Sequence, residues 1–326
     1  GGRAAMGWEG LGWVPPLRGG GFPVAMLQLC SVYYCGALAI DRLFPLCLNA
    51  TPVASPKSKR KAPREGQAVR EALLSLGPLA VKAAVFCTVD LIHEMRLGLL
   101  YDGGGFPTSL PQLAGIAATV LALDALHDTW FYFTHLLMHK NRWLLSNVHY
   151  LHHQSTVPTP FSGYSLHVIE ALIVFFDELL VCFVLPMHVN THRLYHLYTT
   201  LIHIGGHASI ELHPLIPSLE QLLWIGCKGI GQVSGQLNTV LYHNLHHKNP
   251  SKNLSLYFTH WDKLLRTFCN EYPSEICRVK REQEKRADTK YYAVMLLLLS
   301  STLVSSFLCY TTAYNLASLG VKLLWA

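Results

Sequence analysis

"LAGIAATVLALDALHDTWFYFTHLLMHK", residues 113–140, begins as an apolar run and closes on two histidines four positions apart. Residues 103–123 carry no charge, and the preceding link "HEMRLGLLYDGGGFPTSLPQ", 93–112, is rich in Gly and Pro and reads as a turn. His135 and His139 lie on one helical face near the end of the run, with Asp128 seven residues earlier on the same face. A helix that is apolar along most of its length and ends in metal-type ligands places a polar site at a membrane surface. The expected fold is therefore all-α: an integral membrane helical bundle with a cytosolic histidine-rich metal-binding cap.

Composition agrees. Of 326 residues 51% are apolar and 14% charged, whereas soluble domains carry about 25% charged residues. Residues 19–40 are also uncharged, and 291–321 form an uncharged run of 31 that contains "YYAVMLLLLSSTLVSSFLCY". A spanning helix needs roughly 20 apolar residues, so the last run can cross alone; a long buried helix of a soluble protein is the weaker reading at that length. The net charge of +6 is concentrated in two short clusters, "KSKRKAPR" (57–64) and "RVKREQEKR" (278–286). They are not interleaved with aromatics, which argues against nucleic acid, and they mark the cytoplasmic side. The nine cysteines include no CxxC pair and sit mostly in apolar stretches, such as Cys87, Cys182 and Cys309, so a disulfide framework is not expected. The N-terminal "GGRAAMGWEG" lacks an initiator Met and the basic start of a signal peptide, and reads as a fragmentary edge.

These markers divide the chain into an N-terminal segment (1–23), a transmembrane hairpin (24–112) and a catalytic domain (113–270), followed by a charged cytosolic linker (271–290) and a C-terminal transmembrane helix (291–326). Within the first hairpin, helices are expected near 24–47 and 71–92 around a basic cytosolic loop at 54–70. A second hairpin, 168–187 and 191–207, is interrupted by Asp177 and Glu178, which argues that it is partly sunk or faces a polar interior. With both basic clusters in the cytosol, every histidine cluster falls on the cytosolic face.

"HYLHH" (149–153) and "HNLHH" (243–247) are two copies of HxxHH in a chain with 18 histidines, and chance accounts poorly for both. Positions i, i+3 and i+4 share a helical face, so His149, His152 and His153 converge, as do His243, His246 and His247. His203 and His207, in "HIGGH", repeat the i, i+4 pairing of His135 and His139. Ten histidines in four sets exceed the needs of one metal; shared between two ions they supply about five each and leave a position open for dioxygen or water. Imidazole binds zinc, copper, iron and nickel, so the count does not name the ion. The remaining eight, at 93, 127, 167, 188, 192, 196, 213 and 260, read as ordinary polar histidines. "HEMRL" lacks the second His of a zinc protease, the lone "GGG" at 103–105 follows no strand, and no GxSxG elbow occurs.

Residues 124–268 resemble the membrane-bound fatty acid hydroxylase and sterol desaturase superfamily. The stretch from Asp128 to His139 resembles its first histidine box, and "HYLHHQSTVPTPFSGYSLHVIEAL" (149–172) the second box of sterol desaturases. "GHASIELHP" (206–214) is similar to a GH-x-x-x-E-x-x-P segment, "NTVLYHNLHH" (238–247) resembles the third box, and "NLSLYFTHWDKLLRTF" (253–268) the closing segment. The resemblance implies two Fe ions that use dioxygen to hydroxylate or desaturate a sterol, fatty acid or related lipid in lipid biosynthesis. It implies electrons from NAD(P)H through a b-type cytochrome or similar carrier, and an endoplasmic reticulum or equivalent membrane. Zinc is the alternative occupant of the same imidazoles.

The ligands are then expected to be His135, His139, His149, His152, His153, His203, His207, His243, His246 and His247. Asp128, Glu170, Glu211 and Asp262 lie within the matched motifs and are expected to accept the other ring nitrogens. Phe131, Phe161 and Tyr164 are candidates for an apolar tunnel or for ordinary core. Tyr242 stands where many relatives have His, and two glycines of the closing segment are replaced, by Ser255 and Arg266. Two rival functions carry discriminating features. A non-catalytic metal-binding protein of the same fold would have its open position filled, with Tyr242 the residue to inspect, and a metal transporter would hold its ligands at mid-span.

Overall fold

The computed structural model describes residues 17–45, 62–103, 107–208, 210–211, 239–286 and 291–324, and among these it is mostly helical. Helix α1 (Gly21–Leu38) continues through a π turn at Ala39–Leu43. Helices α2 (Gln67–Leu74) and α3 (Leu76–Glu94) are nearly continuous, and α4 spans Leu110–Lys140. Three stretches, Gly21–Leu43, Gln67–Glu94 and Leu110–Lys140, are long and apolar enough to cross a membrane. They lie within a few residues of the expected spans. The final helix, here α12, is one run from Tyr291 to Leu324 that packs on α1.

Local chemistry explains where α4 starts and how the chain leaves it. The Gln112 side-chain oxygen accepts from the Ser109 backbone N–H (3.1 Å) and hydroxyl (3.0 Å), and Pro111 occupies the first turn. At the other end Asn141 is extended, and its side chain accepts from Trp143 N (3.0 Å) and Leu144 N (3.1 Å). This cap starts α5 (142–153), which contains a π turn at Leu145–His149 before Tyr150–His153. The turn folds α5 back on α4 and returns "HYLHH" to the level of His135 and His139.

The second expected hairpin differs from its reading. Residues 168–184 form two short helices, α6 (Val168–Val174) and α7 (Asp177–Val184). Asp177 and Glu178 lie in the first turn of α7, where a helix N-terminus favours negative charge. They reach inward: Glu178 pairs with Lys82 of α3 at 2.8 Å, and Asp177 pairs with His127 of α4. Helix α8 (Val189–Gly206) follows, its start capped by the His188 ring accepting from Asn190 N at 3.1 Å. Leu100–Tyr101 and Met187–His188 make a short parallel pair.

Beyond residue 238 lie α9 (Val240–Lys248), α10 (His260–Leu264) and α11 (Tyr272–Arg286). The expected linker at 271–290 is thus helical over most of its length, with Arg278 bridging Glu275 and Glu282. The basic cluster at 57–61, His213 and most of the 208–242 stretch lie outside the described residues.

Polarity is arranged as in a membrane protein. Leu110, Leu113, Leu126, Phe133 and Leu137 of α4 point outward, while Asp124, His127, Asp128 and His135 of the same helix are buried. Around the buried polar residues α1, α3 and α8 pack a core that includes Leu29, Tyr33, Phe86, Phe175, Leu201 and Ile204.

Candidate metal centre

Nine of the ten expected ligands form two groups. His135, His139, His149, His153 and His246 make one, and His152, His207, His243 and His247 the other; within each group one ligand atom per residue lies within 4.8 Å of the rest. Each HxxHH therefore serves both groups. His149 and His153 enter the first while His152 enters the second; His243 and His247 enter the second while His246 enters the first. Helix geometry explains the split, because i+4 lies about 40° from i and i+3 about 60° on the opposite side. The groups touch through the rings of His153 and His247, 5.1 Å apart, and of His149 and His152, 5.5 Å apart.

Hydrogen bonds on the outer nitrogens decide what the inner ones can do. His135 donates from Nδ1 to Leu254 O at 2.9 Å, and His149 donates from Nδ1 to Glu170 at 2.7 Å. In a neutral imidazole the other nitrogen is then a lone pair, yet the Nε2 atoms of these two rings face each other at 3.1 Å. His246 donates from Nδ1 to Lys252 O at 2.8 Å, leaving its Nε2 without a partner. In the second group His207 donates from Nδ1 to His203 O at 2.7 Å, and its Nε2 lies 2.8 Å from that of His243. Converging lone pairs at such distances repel unless a cation sits among them. The donor sets thus fit two imidazole-bound metal ions.

The electrostatics favour the same occupant. Burial, then the neighbouring imidazoles, hold His152, His243, His246 and His247 well below the ordinary imidazole range and His153 at about 2. The rings are neutral at physiological pH, the form that ligates metal.

The supporting carboxylates depart from expectation. Glu170 accepts the Nδ1–H of His149. Asp128 instead accepts three backbone N–H groups, from Leu256 (3.0 Å), Tyr257 (2.7 Å) and Phe258 (3.4 Å). Asp262 accepts from Leu254 N, Ser255 N, Thr267 Oγ1 and Tyr242 OH at 2.6–2.9 Å. The bond seen for Glu211 comes from Leu241 N at 3.1 Å, in the first turn of α9. These residues hold the backbone that supplies the acceptors: Leu254 O serves His135, and Leu254 itself is pinned by Asp262. Carbonyls at 203, 252 and 254 were missed from sequence, since every residue has one and no letter marks which will be used.

Tyr242 does not enter either group. Its hydroxyl donates to Asp262 at 2.7 Å and its ring packs 4.8 Å from Tyr272. Burial, then the Asp262 carboxylate, raise its phenol well above the usual value. His203 also stands apart from both groups. The other histidines read as ordinary serve locally: His167 and His188 cap helices, and His192 donates to Glu178 O.

A cavity adjoins the groups. Its wall includes His135, His149, His152, His207 and His243 together with Phe131, Leu166, Val174, Ile202, Val240 and Leu256. Of the three aromatic candidates for tunnel lining or ordinary core, Phe131 is in its wall. Phe161 and Tyr164 are not; they are core, with Tyr164 donating to Thr200 at 3.2 Å.

The fatty acid hydroxylase family model matches residues 120–267, the segment that carries all nine clustered histidines. This segment is similar to the fatty acid hydroxylase family. The chain is 29% identical over 215 residues to cholesterol 25-hydroxylase of Rattus norvegicus, covering 64% of this chain and 65% of that one. It is 27% identical to cholesterol 25-hydroxylase of Mus musculus, covering 78% and 79%. It is 27% identical to the sphingolipid C4-hydroxylase of Saccharomyces cerevisiae, covering 52% and 49%. The chain thus spans just under two thirds of the rat relative. No solved structure matches it. These relatives are sterol and sphingolipid hydroxylases by name.

Proposed function

We propose that the protein is a membrane-bound di-iron oxidoreductase that uses dioxygen to hydroxylate or desaturate a lipid. The observation that carries this reading is the pair of converging lone-pair sets beside an apolar-walled cavity. Two iron ions, when bound, supply dioxygen activation and the removal of hydrogen from an unactivated carbon. His135, His139, His149, His153 and His246 would hold one; His152, His207, His243 and His247 would hold the other. Glu170 and the carbonyls of Leu254, Lys252 and His203 fix ring orientation and tautomer. The apolar wall binds the lipid carbon and excludes water.

Hydroxylation consumes dioxygen, two electrons and two protons, giving an alcohol and water, so an electron donor must dock. Among the described residues of 129–270 the acids Glu170, Asp177, Glu178, Glu211 and Asp262 are all buried. Lys140, Arg142, Lys248, Lys263 and Arg266 are exposed, and Lys252 partly so. The surface around the histidines is therefore cationic, and the Lys252 carbonyl is one hydrogen bond from His246. An acidic b-type cytochrome, or similar carrier reduced by NAD(P)H, fits that face. With the basic segments in the cytosol, the site faces the cytosol from an endoplasmic reticulum or equivalent membrane.

The deciding experiment is metal analysis of purified protein beside lipid profiling of cells lacking it. Two irons per chain and an accumulated precursor lipid are expected. A metal-free protein with an unchanged lipid profile overturns the proposal.

A further inference from the structure

His203 is 4% exposed and lines the cavity beside the metal groups. Its Nδ1–H donates to Thr199 O at 2.9 Å, which makes Nε2 the acceptor, and Nε2 has no hydrogen-bond partner. The space around it is shaped. Phe131, Tyr164 and His127 place their ring centres 6.2, 5.4 and 6.1 Å from it. Gly163 lies so close that an added Cβ would be 2.9 Å from His203 O. Of the neighbouring groups that can carry positive charge, Lys82 is already committed to Glu178 at 2.8 Å and His127 to Asp177. A buried acceptor in a cavity wall calls for a donor brought by the bound molecule.

Position adds a second constraint. His203 lies one helical turn, about 6 Å along α8, from His207 of the second group. A donor held at His203 is therefore close to the carbon presented to the metals.

We infer that His203 accepts a hydrogen bond from a hydroxyl of the lipid substrate. This reading rests on the lipid-oxidising function proposed above and narrows it. The substrate is an alcohol, a sterol or long-chain base in chemical type, oxidised a few bonds from its existing hydroxyl. Esters, ketones and ethers offer no donor there. His203 is thus a specificity-determining residue, and the i, i+4 spacing it shares with His207 serves two different ends.

The test uses the full iron-loaded chain in lipid nanodiscs, with cholesterol, sphinganine and their O-methyl ethers as probes. The wild-type protein is expected to bind at least one free alcohol about tenfold more tightly than its ether. His203→Ala should bring alcohol and ether to within about twofold, and His203→Gln, which keeps an acceptor, should restore part of the preference. Iron content should stay at the wild-type level in both variants. Equal binding of alcohol and ether by wild type, binding of neither alcohol, full preference in His203→Ala, or loss of an iron in that variant each overturns the inference. The wild-type comparison stands even if a variant does not fold. Failure of the underlying function would show differently, as alcohol-selective binding with no oxidised product.

Discussion

Replacing Glu170 separates the two metal groups. Glu170 is 2% exposed, and its Oε1 takes the Nδ1–H of His149 at 2.7 Å while its Oε2 has no partner. Glu170→Gln keeps an oxygen for His149 but loses the charge of the bond and sets an amide N–H where the buried Oε2 has no partner. Glu170→Ala loses the bond itself. Hydrogen bonds to charged groups contribute about 1.5–3 kcal/mol, and removing such outer partners weakens metal binding about 10–100-fold. The Gln variant is placed at the low end, about tenfold, and the Ala variant at the high end, about a hundredfold. Because His149 belongs to the five-imidazole group alone, one ion should weaken while the other holds. Iron titration against a competing chelator, with element analysis of the retained metal, reads this as two separated affinities. Equal weakening of both ions, or no change in either, would refute the assignment of His149 and its neighbours to one group.

Breaking the buried Lys82–Glu178 pair by Lys82→Met or Glu178→Gln should each cost about 3–5 kcal/mol of stability, while the Lys82→Met/Glu178→Leu double variant stays near wild type; additive losses in denaturant unfolding would refute the coupling. Lys252→Glu with Lys263→Glu should raise KM for an acidic electron carrier about tenfold and flatten its salt dependence, leaving turnover with a small chemical reductant unchanged. Arg266 holds φ 61, a left-handed conformation; Arg266→Gly should therefore stabilise the chain by up to about 1 kcal/mol in thermal unfolding. For the metal-free protein His152, His153, His243, His246 and His247 stay neutral when folded, but protonate in the unfolded chain below about pH 6.5. The unfolded state then binds more protons, so stability is full above that pH and falls as pH drops toward the lowered folded values, about 2 for His153. A melting temperature that is flat or rises from pH 7 to 5 would contradict it.

Periodicity made much of this architecture legible. Uncharged apolar runs located α1, α4 and α12 to within a few residues, because span length is set by bilayer thickness and leaves its mark in composition. The HxxHH spacing named the histidines that cluster, since helical phase is a property of sequence position, although each triplet contributes to both groups. Phase separates i+3 from i and i+4 within each HxxHH, but which histidines then meet in one group needed α4 and α5 folded together by the Asn141 turn. The break at Phe175–Phe176 was less visible, because it follows from Glu178 and Asp177 turning toward Lys82 and His127 on other helices. His203 illustrates the limit most clearly. Its spacing to His207 equals that of His135 to His139, and both His203 and His207 donate Nδ1–H to a backbone carbonyl; what separates them is the other nitrogen, which in His207 meets His243 at 2.8 Å and in His203 has no partner.

The position of Tyr242 bears on whether the departure from relatives weakens the site. As the residue before His243 it lies about 100° around α9 from that ring, too far to join the same group. The phenol points the other way, to Asp262, whose carboxylate also takes Leu254 N at 2.8 Å. Leu254 O then receives the His135 N–H at 2.9 Å. Tyr242 thus acts on the five-imidazole group from behind, through an acid and a backbone carbonyl, while His243 beside it enters the four-imidazole group directly. A histidine here could offer Asp262 the same donor, so the exchange of His for Tyr changes the support of one ring and leaves both ligand sets intact.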